Sequence, residues 1–105
     1  MFTFLIDLIT EKGRGIHAYA AVSKAAFEHV LLEPDHAAAF YFLATSAENF
    51  VDQHERQPLS SEELEQNFKV FQAEIQALED AAQDTPANRL AMLNKLVETR
   101  IKQSR

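Results

Sequence analysis

Apolar residues recur along this chain at helical spacing, in five runs separated by four breaks. In the first run Phe2, Leu5, Ile6 and Ile9 share one helical face while Phe4 and Leu8 lie off it, which predicts a helix over 2–11 that is apolar nearly all round. The same residues also alternate as a strand would. No second strand candidate exists to pair with them, however, and a lone strand leaves its backbone groups unsatisfied. Lys12-Gly13-Arg14-Gly15 is the first break.

The second run spans Ile16 to Leu32, with Ile16, Ala20, Ser23, Phe27 and Val30 on one stripe and many alanines beside it. It stops at Glu33-Pro34, because proline disfavours helical backbone in the residue before it. Asp35 then stands where an N-cap is wanted for a third helix, Ala37 to His54, so helices two and three should form a tight hairpin. Phe40, Tyr41 and Phe42 in succession span roughly 200° of that helix at about 100° per residue, so at least two of its faces need cover. It should be the central helix.

After Gln57-Pro58-Leu59, Ser60 and Glu63 have the spacing of a capping box and begin a fourth helix. Along it Leu64, Phe68, Phe71, Ile75 and Leu78 form a heptad seam. Asp84-Thr85-Pro86 supplies a stop, a cap and a proline suited to the first helical position. A fifth helix, Pro86 to Gln103, follows with Leu90, Leu93, Val97 and Ile101 on its stripe.

With 105 residues, 47% of them hydrophobic, the chain can build one core, so 1–105 reads as a single domain. Two glycines and three prolines leave few places to turn. The fold class expected is all-α: an antiparallel helical bundle of four main helices plus a short apolar N-terminal helix. Helix four is rich in acid and helix five in base, and antiparallel pairing would set these charges side by side, selecting register more than adding stability.

A net charge of −6 repels nucleic acid and anionic membranes on average, so neither is an expected partner. The opening segment has no basic region and carries Asp7, so it reads as neither signal peptide nor membrane span, and the protein is expected in the cytoplasm. Absence of cysteine excludes disulfides, thiolate metal sites and cysteine nucleophiles.

Little catalytic chemistry is encoded. Glu33 and His36 have the spacing of a carboxylate-histidine metal motif, but Pro34 breaks the helix that would aim both ligands, leaving His36 as a solvent-facing residue at a helix start. His17 and His29 lie about 120° apart on helix two and make no pair. His54, with Asp52 and Glu55 nearby, reads first as a helix-end residue and second as a titratable switch. Gly13 and Gly15 are too few for a phosphate loop, though they could hold an anion at the start of helix two; a plain flexible turn explains them better. No serine has a glycine-flanked elbow. Neither enzyme activity nor any cofactor or metal is expected.

Pro34 and Ala37, then Phe40, Leu43 and Ala44, resemble the junction between two tetratricopeptide repeats, over about fourteen residues. The sequence departs from that family at His29, where a small alanine is usual, and at Ala47, where an aromatic is usual. Pro34 and Pro86, moreover, are 52 residues apart. The resemblance implies a peptide-binding adaptor and no catalysis.

What remains is excess apolar surface: Phe2, Phe4, Leu5, Leu8, Tyr19, Tyr41, Phe42, Val70 and Met92 lie off the main stripes. Either they form an interface, or helix one plugs the bundle and helix three is covered on both sides. The expectation is a non-catalytic interaction domain that binds a protein partner or a second copy of itself through Phe4, Leu8, Tyr41 and Phe42. The alternatives are an acidic inhibitor or immunity-type protein that captures a basic target through helix four, and a metal or small-ligand binder around His54.

Overall fold

The computed structural model describes residues 1–103 and contains five α-helices: α1 (Phe4–Glu11), α2 (Ile16–Leu32), α3 (Ala37–His54), α4 (Ser61–Ala81) and α5 (Pro86–Gln103). The fold is an all-α bundle, as expected, and its shortest extent of 18 Å is about two helix layers.

Local chemistry sets the boundaries. α1 ends in a Schellman motif: Gly13, at φ +90°, donates to Thr10 O and Arg14 donates to Ile9 O at 3.0 Å. A side chain at position 13 would be strained there, which is why the first break needs a glycine. Arg14 is itself left-handed at φ 63°. Its guanidinium lies 4.1 Å from the centre of the Phe68 ring and 3.6 Å from Glu65, so the segment read as a flexible turn is strapped onto α4.

Ser60 caps α4 by accepting from the Glu63 amide, and Thr85 Oγ1 accepts from the Asn88 amide ahead of α5. Asp35 does not cap α3. Pro34–His36 forms a 3-10 turn that carries the chain into α3, and no side chain caps that helix.

The core draws on α1 to α4. Phe2, just ahead of α1, and Leu5 and Ile9 within it plug the core; Tyr19, Val22 and Ala26 come from α2; Phe40, Leu43, Ala47 and Phe50 from α3; Phe68, Phe71, Ile75 and Leu78 from α4. On α2 the buried stripe lies about one residue round from the expected one, centred on Tyr19 and Val22, while Ala20 is exposed. Close approach through Ala18 and Ala26 admits the Tyr19 ring between Phe50 and Phe71, at 4.4 and 5.7 Å. Ser23 Oγ donates to Ala44 O across the α2–α3 hairpin. Ring pairs Tyr19–Phe50 and Phe27–Tyr41 step backward along α3, so these two helices run antiparallel.

Charged ties fix α1 on α4 at its other end. Both Glu79 carboxylate oxygens accept from the Met1 ammonium, at 2.8 and 3.0 Å, and Oε1 also accepts from the Phe2 and Thr3 amides. Burial pushes the Glu79 carboxyl up, but these donors outweigh it and hold it below the ordinary glutamate value. Arg100 on α5 makes a bidentate pair with Glu74 on α4, both contacts at 2.6 Å. The opposite charges read from sequence therefore meet, among the described residues, at this part-buried pair. Burial raises the Glu74 carboxyl above its usual range, and the bond and charge of Arg100 offset only part of that rise.

Candidate functional site

α5 carries the most regular apolar stripe that the core leaves uncovered. None of its residues is buried, and Leu90, Val97 and Ile101 are 58%, 40% and 56% exposed; only Leu93 and Leu96 pack partly against the core. The stripe borders a groove whose other wall is α3. A cavity of about 480 Å³ lies there, walled by Tyr41, Phe42, Ser46 and Phe50 on one side and by Leu93, Val97 and Ile101 on the other. Its size is that of a ligand or peptide site.

The α3 side runs from Ala38 to Gln53, about four turns or some 22 Å of helix. Past Ala38 and Leu93, which border both, a second cavity of about 190 Å³ continues the groove toward Phe2, His36, Pro86 and Arg89. His36 and Arg89 therefore mark one end of the groove and Gln53 and Gln103 the other, so α3 and α5 run parallel as its two walls.

Polar groups on the walls are nearly all uncharged: Thr45, Asn49, Gln53, Asn67 and Asn94. Among the described residues no carboxylate lines the larger cavity of a chain that holds sixteen acids, and Arg100 is its charged residue. Behind Asn67 the buried Tyr19 hydroxyl closes no hydrogen bond of good geometry. Burial holds this phenol above the ordinary tyrosine value, and Asn67, Arg100 and Arg14 reverse only part of the shift.

The four residues expected to bind a partner are split. Tyr41, 57% exposed, and Phe42, almost fully buried, stand in the α3 wall. Phe4 and Leu8 lie outside the groove, half-buried against the core, with the Phe4 ring 4.6 Å from His29 and 6.3 Å from Phe40. Of the other excess apolar residues, Phe2, Leu5 and Tyr19 are buried and Val70 and Met92 half-buried, so α1 plugs the bundle. The α5 wall was missed because a regular apolar stripe reads as core. The one available signal was the extra apolar face of α3, which has to meet something.

Among the described residues no group of three or more His, Cys, Asp or Glu is placed to hold a metal ion. His36 is not solvent-facing. Its ring meets Phe2 edge-on at 5.9 Å, and its Nε2 accepts from Arg89 Nη1 at 3.3 Å. His54 is the last residue of α3, its ring 4.9 Å from Phe50. His29 is wedged between Phe4 and Phe40, filling the position where a tetratricopeptide repeat has its small alanine. On α4, Glu74 and Glu79 are engaged inside the molecule, leaving Glu62, Glu63, Glu65 and Asp80 on the surface.

Among the described residues no helix is long and apolar enough to cross a membrane. No protein-family model, curated protein or solved structure matches the chain.

Proposed function

We propose that this protein is a non-catalytic binding module that takes the apolar face of a partner's helix in the groove between α3 and α5. The observation that carries this reading is the α5 stripe, exposed along an open groove whose facing wall also presents aromatic residues. Leaving such a stripe to water forgoes about 25 cal/mol for each Å² that a partner would cover. A helix seated there would rest on Tyr41, Val97 and Ile101 and meet amides at the rim, the arrangement of helix-in-groove recognition.

A phage-displayed library of random peptides of about 16 residues, roughly the groove's length at 1.5 Å per residue, tests the reading. Selection on the immobilised protein should enrich sequences with apolar residues at i, i+3 or i+4, i+7 and i+11. Their binding should disappear in the double variant Val97→Asp with Ile101→Asp, whose circular dichroism should match the parent because both side chains are already substantially exposed. No enrichment, or enrichment indifferent to that variant, overturns the proposal.

A further inference from the structure

The two ends of the groove differ in charge and in helix polarity, and both differences bear on what can occupy it. α3 and α5 begin at the same end, so the positive dipole ends of both helices gather near His36 and Pro86. Arg89 stands there, half-buried, and among the described residues no carboxylate comes within 4.0 Å of it. One of its guanidinium nitrogens donates to His36 Nε2. Asp35 also lines this end, as an exposed residue of the 3-10 turn, without pairing to Arg89. At the opposite end, beside Gln53, α3 finishes in carbonyls.

From this polarity we infer that the occupant is a helix of another protein lying antiparallel to both α3 and α5, with a carboxylate at its C-terminal end that pairs with Arg89. The inference rests on the groove reading above and adds direction and charge to it. An antiparallel helix sets its own carbonyl end against the amide ends of α3 and α5, whereas a parallel one sets like dipole ends together. The carboxylate supplies the counter-charge that no carboxylate among the described residues gives Arg89, through guanidinium nitrogens not bonded to His36. A second copy of this chain fits less well. Its exposed apolar helix is α5, and the antiparallel register that aligns the two α5 stripes, Leu90 against Ile101 of the copy, also brings Arg89 against Lys102.

The most enriched sequence from the selection above provides the probe. It is synthesised with a free C-terminal carboxylate, with a C-terminal amide, and as the amide carrying an N-terminal glutamate, and each is titrated by fluorescence anisotropy. The free acid should bind about tenfold more tightly than the amide, the scale of one charge-assisted hydrogen bond. That advantage should vanish in Arg89→Gln, for which acid and amide should bind equally. Equal affinities of acid and amide for the parent protein overturn the inference and leave the groove reading standing. Preference for the N-terminal glutamate overturns the direction. Failure of all three peptides overturns both readings, as does a dimer by light scattering that Val97→Asp dissociates.

Discussion

α3 and α5 are helices of equal length, 18 residues each, yet α3 buries eight of its residues and α5 none. Both have an apolar stripe at proper helical spacing. What separates them is company: α3 has α1, α2 and α4 around it, whereas α5 touches the rest chiefly through α4 and faces a groove on the side of α3. The difference shows that amphipathicity makes a helix able to be buried, while burial itself requires a neighbour on that side. It also explains why the α4–α5 hairpin relies on the Glu74–Arg100 pair, where the α2–α3 hairpin relies on packed rings.

Truncation in each region should give the widest contrast. Phe40→Ala, at a fully buried ring in contact with Phe2 and His29, should cost about 4 kcal/mol in urea denaturation, whereas Ile101→Ala should cost no more than about 0.5 kcal/mol. Similar losses at the two sites would erase the distinction.

Next in size is the α4–α5 pair. Arg100→Met leaves the Glu74 carboxylate buried without its guanidinium and should cost about 3 kcal/mol at neutral pH, while Glu74→Leu combined with Arg100→Met should recover most of that loss. A double variant as unstable as the single one would mean that the ion pair does more than satisfy itself. The pH dependence follows from the direction of the shift. Glu74 titrates above the ordinary glutamate value in the folded protein, so between the two values the folded state holds more protons than the unfolded, and stability contributed here falls as pH rises. The deficit of Arg100→Met should accordingly shrink on acidification toward the ordinary glutamate range.

Glu79→Gln removes the carboxylate that gathers the Met1, Phe2 and Thr3 donors and should cost about 1.5 kcal/mol. Here the shift is downward, so the stabilisation is present above the ordinary glutamate value and lost as pH falls through the lower folded value. Parent and variant should converge in acid, the opposite pH trend from wild-type Glu74. Below Glu79→Gln in size, Ser60→Ala should cost about 1 kcal/mol through the lost cap on the Glu63 amide, and a much larger loss would mean that α4 docks less independently than its packing implies.

The chain's own pattern located the starts of all five helices to within two residues, because Gly13, Pro34, Ser60, Thr85 and Pro86 act on the backbone next to them. Of the groove, Tyr41 and Phe42 were legible as an apolar face in excess of one core. Leu90, Val97 and Ile101 were not, since exposed and buried stripes have the same spacing. Arg14 over Phe68 was equally hidden, as two residues far apart in sequence meet only when α1 lies along α4.

The amino-acid sequence thus determined where helices start, stop and turn apolar, through propensity, capping and backbone restriction that act over a few residues. Which stripe meets a neighbour, which charge finds a partner and which face stays open were decided by tertiary packing. Those outcomes depend on segments tens of residues away arriving at the same place.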